Sequence, residues 1–248
     1  MIVGEAVIMA AGVGNRLRPF TDTRPKSLLE VGGVSLMERH LKHLASGKVK
    51  RTTIVIGHFG DQIRDRFGEQ YGDMSIRYIE NGDYRRGSIL SLKAGLADQT
   101  DPTVCMDADV LYHPKILHRL LQTTHPTCFL LDPTAEETGE EMMLAVRDGA
   151  VRRIARTVGK DWDRIGEGVG FFVLGGNALP RARAILDSFA ERGEIDVEYE
   201  DALNRLLEEF PGAFLEVEDL PWTEIDFEED LRKADQILAH LREMDAGD

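Results

Sequence analysis

The sequence predicts an α/β fold with a mainly parallel mixed sheet flanked by helices. Short apolar runs alternate with helical patterns through the first half of the 248 residues, which is typical of βαβ units. In the second half, Asp148-Gly149 separates two strand-like runs, and this dipeptide favours a hairpin turn. We therefore expect antiparallel strands to join the sheet there. With 42% hydrophobic residues, the chain can bury the core of a single domain over 1–248.

In the first half, cap residues set the expected helix boundaries. Ser35-Leu-Met-Glu38 has the pattern of a capping box, so a helix is expected over about 35–46. Ser88 is expected to cap another helix, and Pro114 fits the first turn of a third. The other elements expected in this half are strands over 6–10, 53–57, 75–80 and 103–107 and a short helix over 61–67.

The second half is also expected to consist of strands and helices, and it contains one unusually long loop over 156–167. The elements expected there are strands over 142–146, 150–155, 168–174 and 214–217, helices over 177–192 and 198–209, and a terminal helix that carries Leu231, Ala234, Leu238 and Leu241.

The formal net charge of −14 and a pI near 5.0 argue against a nucleic-acid partner, because such binding depends on cationic side chains that neutralise phosphates. No apolar stretch reaches the roughly 20 residues that span a bilayer, and the first residues lack the pattern of a signal peptide. We therefore expect a cytoplasmic protein without a membrane partner. A homo-oligomer is compatible with the sequence.

A glycine-rich, cationic loop follows the first apolar run. Gly12 and Gly14 lack a Cβ, so the backbone N–H groups there can approach phosphate oxygens closely. A cationic loop in an acidic chain indicates an anionic ligand such as a triphosphate. The cations of this loop are Arg16, Arg18, Arg24 and Lys26, and Asp22 alone opposes them.

Two common phosphate-binding motifs do not fit this loop. A dinucleotide fingerprint needs a third glycine where the chain has Leu17. A P-loop needs Gly-Lys-Ser/Thr after a four-residue gap, but Lys26-Ser27 follows Arg24-Pro25. The pattern present, Ala-Ala-Gly-x-Gly-x-Arg-Leu-x-Pro-(x)-Thr-(x)-Pro-Lys, resembles the nucleotidyltransferase family that activates phosphorylated sugars and small alcohols.

This resemblance implies a Rossmann-like (GT-A-like) domain with a nucleotide-binding part over about 1–125 and an acceptor-binding part over about 126–248. It also implies that Arg16 and Lys26 are catalytic and hold the triphosphate. The nucleotide-binding residues it implies are Ala10, Ala11, Gly12, Gly14, Asn15, Arg16, Lys26, Glu80, Asn81, Ser88 and Asp107.

Two carboxylate motifs indicate a metal site. Asp107-Ala-Asp109 follows a predicted buried strand, at the end where open parallel sheets bind ligands, and carboxylates suit Mg²⁺. Trp222-Thr-Glu224-Ile-Asp226 resembles the late motif in which an aspartate completes the family's metal site. The resemblance therefore implies Mg²⁺ on Asp109 and Asp226, with Asp107 as the alternative first ligand. In the other interpretation, Asp226 caps the last helix.

Residues 79–92 discriminate between branches of this family. Glu80-Asn81, followed by Ser88 and a leucine-containing helix, resembles a region of cytidylyltransferases that act on phosphocholine, 2-aminoethylphosphonate or inositol-1-phosphate. Gly87-Ser88-Ile89 departs from the Asn-containing turn of that branch. The alternative interpretation gives Glu80 and Asn81 ordinary strand-to-turn hydrogen bonds.

The second half offers groups for an acceptor with an ammonium head group. Cations of this kind bind aromatic faces or carboxylates, and 156–167 is a candidate lid or acceptor loop. A solvated helix face is the other interpretation of the acidic residues. The acceptor-binding candidates are Lys160, Trp162, Glu198, Tyr199 and Trp222, with Glu200 and Asp201 beside them.

The combined prediction is a Mg²⁺-dependent cytidylyltransferase that transfers CMP from CTP, or another NTP, to a small phosphorylated alcohol or phosphonate and releases pyrophosphate. Phosphocholine and 2-aminoethylphosphonate are the preferred acceptors. The alternatives are a sugar-1-phosphate or inositol-1-phosphate nucleotidyltransferase that uses CTP, UTP, dTTP or GTP, and a relative that senses nucleotides without turnover.

Overall fold

The computed structural model describes residues 2–247, and the side chains of residues 2–241. The described strands are β1 (Glu5–Ala10), β2 (Glu30–Val31), β3 (Val34–Ser35), β4 (Arg51–Ile56), β5 (Gln70–Tyr71), β6 (Met74–Glu80), β7 (Thr103–Asp107), β8 (Val110–Tyr112), β9 (Thr127–Asp132), β10 (Met143–Arg147), β11 (Ala150–Ala155), β12 (Arg164–Leu174), β13 (Ala213–Glu216) and β14 (Trp222–Glu224). The described α-helices are α1 (Leu36–Ser46), α2 (Gly60–Phe67), α3 (Ile89–Leu96), α4 (Pro114–Leu121), α5 (Ala178–Glu191), α6 (Tyr199–Glu209) and α7 (Glu228–Gly247).

A ten-stranded sheet organises these elements in the order β11-β10-β12-β7-β1-β4-β6-β5, with β9 paired to β12 and β13. The central strands β7, β1, β4 and β6 are parallel. Beyond β7, the strands β12, β10 and β11 are antiparallel to their neighbours. The predicted mixed α/β sheet, with a parallel centre and an antiparallel addition from the second half, is confirmed.

Helices cover both faces of the sheet, which explains why the central strands are apolar on both sides. The side chains of α1, α2 and α4 pack on one face, and those of α3, α5 and α6 pack on the other. A smaller cluster joins α7 to Leu17 and Leu29 behind the glycine-rich loop. The loop therefore rests on a packed base. Within the described residues, none of the helices has the length and apolar character needed to cross a membrane.

Several predicted boundaries are confirmed and others are corrected. The Ser35 hydroxyl accepts from the Glu38 N–H at 3.3 Å, as a helix cap should. Asp148 and Gly149 both have positive φ, 52° and 70°, and close the hairpin between β10 and β11. Strand β12 starts at Arg164, four residues earlier than predicted, so the long loop ends at residue 163.

The prediction that the Ser88 side chain caps α3 is wrong. Ser88 precedes α3, but its backbone is helical and its side chain makes no hydrogen bond to that helix. The hydroxyl instead accepts from the Tyr199 N–H at 2.9 Å. The short pair β8 and β14 was also not predicted, because three residues are too few to show a strand period.

Protonation of His40 should lower stability in mild acid. The ring lies fully buried in α1, with Nδ1 3.3 Å from the Tyr112 hydroxyl, and burial lowers the pKa of His40 from 6.5 to about 4. The unfolded chain then binds a proton that the folded chain does not, so the stabilisation is complete above pH 6.5 and is lost as the pH falls towards 4. Urea unfolding at about pH 7.5 and pH 5 measures this loss, and it should be smaller in His40→Gln. An equal loss in parent and variant would exclude His40 as its source.

Candidate functional site

The loop after β1 and the turn after β7 enclose the first cavity, at the carboxyl ends of adjacent parallel strands. Gly14 adopts φ 67°, and its carbonyl accepts from the Thr21 hydroxyl at 2.8 Å. This bond fixes the loop in its turned-back shape. The cavity has a volume of about 490 Å³ and is lined by residues that include Ala10, Ala11, Gly12, Gly14, Asn15, Arg16, Lys26, Ser88, Ser91, Asp107, Asp109, Tyr199 and Asp226.

Lys26 binds two carboxylates that come from distant parts of the chain. Its Nζ donates to Asp109 Oδ2 at 2.7 Å and to Asp226 Oδ1. Burial alone would lower the pKa of Lys26, but the charges of Asp109, Asp226 and Glu224 outweigh it and raise that pKa above its usual value. Lys26 therefore carries its positive charge at the centre of the site.

The pairing of β8 with β14 brings the carboxylates together. Ile225 N–H donates to the Asp109 carbonyl at 3.0 Å, so the flanking Glu224 and Asp226 lie beside Asp109. One ligand atom from each of these three carboxylates lies within 4.8 Å of the others. Asp109 Oδ1 is buried and has no hydrogen-bond partner within the described residues. This all-oxygen donor set fits a hard divalent cation such as Mg²⁺.

Asp226 does not cap the terminal helix. The Asp230 carboxylate accepts from the N–H groups of Asp226 and Phe227, at 2.9 and 2.8 Å, and holds the start of α7. The Asp226 side chain is thereby left to face Lys26 and Arg16. Arg16 donates to Asp226 Oδ2 at 2.5 Å and pairs with Glu140 at 3.3 Å.

A second cavity of about 200 Å³ opens on the other side of the same residues. Six residues line both cavities: Arg16, Ser88, Asp107, Asp109, Tyr199 and Asp226. Ligands in the two cavities would therefore meet at the carboxylates. Carboxylates outnumber cations in the second cavity, where Asp107, Asp109, Glu140, Glu198, Glu200, Glu224 and Asp226 face Arg16 and Arg156, and its aromatic lining is Phe129, Phe171, Phe172 and Tyr199.

Asp107 and Tyr199 form the wall between the cavities. The Tyr199 hydroxyl donates to Asp107 Oδ2 at 2.7 Å, and a Cβ at Gly170 would collide with that carboxylate. Burial, followed by the charge of Asp109, raises the pKa of Asp107. Burial also raises the pKa of Glu200 to about 7. These side chains make the second cavity a desolvated, acidic site.

Segment 195–199 is attached to the segment that lines the first cavity. Backbone bonds run from Gly87 N–H to the Ile195 carbonyl at 3.0 Å and from Ile89 N–H to the Val197 carbonyl at 3.4 Å. Outside them, Arg86 binds Asp196 through two hydrogen bonds of 2.7 and 2.5 Å. Sequence reasoning missed this attachment, because its only local sign is the glycine that allows the close approach.

The structure places several candidate residues away from the two cavities. Glu80 is exposed and pairs with Arg64 at 3.2 Å. Asn81 is buried behind the first cavity and donates to Ser91 Oγ at 3.0 Å. Lys160 is exposed and lines neither cavity.

The aromatic face expected for the acceptor is not assembled as predicted. Trp162 lies under Arg147, whose guanidinium carbon is 4.4 Å from the ring centroid, and it donates to the Val158 carbonyl. Trp222 donates to Asp132 and lines a neighbouring cavity. Of the three predicted aromatic residues, Tyr199 alone lines the second cavity, where Phe129, Phe171 and Phe172 supply the other rings.

Comparison with known proteins defines the class. Residues 6–164 match the MobA-like NTP transferase domain. The chain is 25% identical over 240 residues to 2-aminoethylphosphonate cytidylyltransferase of Lancefieldella rimae, covering 96% of this chain and 94% of that protein. It is 28% identical over 239 residues to the bifunctional IPC transferase and DIPP synthase of Rubrobacter xylanophilus, covering 94% of this chain and 51% of that protein.

Among solved structures, CTP:phosphocholine cytidylyltransferase from Streptococcus pneumoniae shares the fold with a TM-score of 0.79 at 23% identity, covering 96% of this chain and all of that one. The match to the bifunctional protein of Rubrobacter xylanophilus spans about half of the length of that protein. Another match spans about a fifth of the length of its relative, the CMP-5'-(3-aminopropyl)phosphonate synthase of Streptomyces rubellomurinus. The chain belongs to the MobA-like NTP transferase domain family.

Gly87→Ala should impair the site more than it impairs the fold. The new Cβ would collide with the Val197 carbonyl and push 195–199, with Tyr199, away from the first cavity. We expect a loss of about 1–3 kcal/mol in unfolding free energy and a clear fall in kcat/KM, measured by urea unfolding and pyrophosphate release. Gly82→Ala is the control, because a Cβ there meets nothing within 4 Å among the described atoms. Equal effects of the two substitutions would contradict this role.

Proposed function

We propose that this chain is a metal-dependent cytidylyltransferase that transfers CMP from CTP to a small phosphorylated or phosphonylated alcohol. The observation that carries this proposal is the shared wall of the two cavities, where Asp109 and Asp226 lie between a glycine-rich loop and an acidic, aromatic cavity. That arrangement fits two substrates that react at the carboxylates. The choice of CTP is supported by the names of relatives such as 2-aminoethylphosphonate cytidylyltransferase.

In this proposal the triphosphate lies in the first cavity. Gly12 and Gly14 supply backbone donors, and Arg16 and Lys26 neutralise the phosphates. A divalent cation bound by Asp109 and Asp226 supplies further charge neutralisation. The acceptor phosphate oxygen attacks the α-phosphorus in line, the bond to the bridging oxygen breaks, and pyrophosphate leaves with that oxygen. The protein contributes position and charge, and no covalent intermediate forms on it.

The second cavity supports an acceptor with a positively charged head group. Two of its acidic side chains, Glu140 and Glu198, pair with Arg16 and Arg156, and Asp109 and Asp226 are assigned to the metal. The remaining acidic groups, Asp107, Glu200 and Glu224, and the aromatic lining favour a cation, because a desolvated cation needs carboxylates or aromatic faces around it. Glu198 is paired with Arg156 at 2.8 Å, so Glu200 is the acceptor-side carboxylate that remains most available. Phosphocholine and 2-aminoethylphosphonate both have such a head group.

A substrate panel tests the proposal. Pyrophosphate release is measured with CTP, UTP, dTTP, GTP and ATP against phosphocholine, 2-aminoethylphosphonate, inositol-1-phosphate and glucose-1-phosphate. We expect the highest kcat/KM for CTP with one of the two ammonium-bearing acceptors. Preference for a neutral sugar phosphate would move the assignment to the hexose or inositol branch. Binding without turnover for every pair would indicate a nucleotide sensor.

Glu200→Gln should raise KM for 2-aminoethylphosphonate about tenfold, because its primary ammonium can donate a hydrogen bond to the Glu200 carboxylate and a hydrogen bond between charged groups is worth about 1.5 kcal/mol or more. KM for CTP should stay unchanged, because Glu200 lines the second cavity and not the first. Asp201→Asn removes a neighbouring charge that lies in a different groove and serves as the control. Initial rates with each substrate varied in turn separate the two constants. A parallel rise in both KM values would place Glu200 outside acceptor recognition.

A further inference from the structure

The Lys26 ammonium bridges one oxygen of Asp109 and one oxygen of Asp226, in the space between the two carboxylates that would hold the metal. Nζ contacts one oxygen of each carboxylate, and the ligand oxygens of the site lie within 4.8 Å of one another. Mg²⁺ binds oxygens at roughly 2.0–2.1 Å, so a metal on these oxygens comes into close contact with Nζ. Two cations that share the same oxygens repel strongly.

Besides the two carboxylates, the Lys26 side chain borders an open cavity. The side chain is 12% exposed, so the surrounding protein closes off most of the space around it. It also lines the first cavity, beside Gly12 and Gly14. The lysine stem is flexible and rotates about four bonds. Rotation about these bonds can carry the ammonium from the carboxylates towards that cavity.

We propose that Lys26 and the catalytic metal compete for Asp109 and Asp226, so that metal entry moves the Lys26 ammonium into the triphosphate cavity. This inference rests on the proposed metal-dependent function. Lys26 neutralises the clustered carboxylates until the metal replaces it, and it then meets the phosphates. The exchange couples metal binding to the placement of a phosphate-binding cation.

Arg16 provides the matched comparison for this exchange. It is also cationic and binds Asp226, but through Oδ2, whereas Lys26 uses Oδ1. Among the described residues, no hydrogen bond or salt bridge joins Arg16 to Asp109. Loss of either positive charge reduces the long-range repulsion of an incoming cation. Loss of Lys26 in addition removes a group that binds both Asp109 and Asp226.

The first experiment titrates Mn²⁺, without nucleotide, into the full chain and follows the electron paramagnetic resonance signal of the free ion. Lys26→Met should bind Mn²⁺ at least about tenfold more tightly than the parent, and Arg16→Met should show a clearly smaller gain. Equal gains in the two variants would overturn the competition. If neither the parent nor Lys26→Met binds Mn²⁺, the metal site fails, and with it the metal-dependent function.

The second experiment uses the unaltered protein and so does not depend on the folding of a variant. Acetic anhydride labels lysines, and mass spectrometry reads the labelled fraction at Lys26 with and without Mn²⁺. Lys93, which pairs with Asp187 on the α3–α5 surface, is the internal reference. Labelling of Lys26 relative to Lys93 should rise when Mn²⁺ binds. Mn²⁺ binding without this rise would overturn the displacement of Lys26 and leave the metal site intact.

Discussion

Asp226→Asn is expected to lower metal-dependent turnover by a factor on the order of 10³ or more, since a bound metal ion contributes several kcal/mol to stabilising the transition state. A neutral amide is a weaker ligand for a hard cation than a carboxylate. Asp226 also holds Arg16 and Lys26, so its charge organises two cations besides the proposed metal. Asp109→Asn should have an effect of similar size, and Asp107→Asn a smaller one.

Turnover as a function of Mg²⁺ concentration measures the Asp226→Asn effect. Glu228→Gln is the control, because it removes the same charge only two residues further along the chain. The Glu228 side chain pairs with Arg232 on the exposed face of α7. The control should follow the parent. If Asp226→Asn kept the Mg²⁺ dependence of the parent, the site built from Asp109 and Asp226 would be wrong.

The parts of the fold and site that could be predicted from the sequence lie within short, continuous motifs. The glycine-rich loop and Lys26 belong to one stretch, and the capping box and the Asp148-Gly149 turn depend on neighbouring residues alone. Local chain chemistry determines such features, so they can be read from a window of a few residues. The comparisons confirmed the nucleotidyltransferase class that the loop motif indicated.

The parts that could not be predicted depend on contacts between distant segments. Gly87 approaches Ile195 and Val197, more than 100 positions away, and no property of either segment alone shows this pairing. Trp162 has the residue type of an ammonium-binding aromatic group, but the hairpin places Arg147 on its ring. Phe129 and Phe172 lie in strands that read as ordinary core. The acceptor side therefore differs most from the sequence-based expectation, because its residues come from many separate segments of the chain.

Glu224 shows an intermediate case. It belongs to the motif whose resemblance implies a metal role for Asp226, but the sequence analysis assigns no role to Glu224 itself. The pairing of β14 with β8 determines where Glu224 lies, because it sets Glu224 opposite Val110, the residue that follows Asp109. Alternation along a strand and the register of its partner together place this carboxylate at the site.

Lys26→Met is expected to lower kcat by a factor on the order of 10² or more, because a charge contact made in the transition state is worth about 3 kcal/mol. The ammonium is needed where charge develops on the leaving pyrophosphate, so kcat should fall more than KM for the nucleotide rises. Methionine keeps most of the volume of the lysine stem, and unfolding in urea should show a folded protein. Lys93→Met, which removes an exposed ammonium paired with Asp187, is the matched control. Unchanged kcat/KM in a pyrophosphate-release assay would remove Lys26 from the mechanism. A lower kcat together with tighter metal binding would show that Lys26 promotes turnover and opposes metal binding.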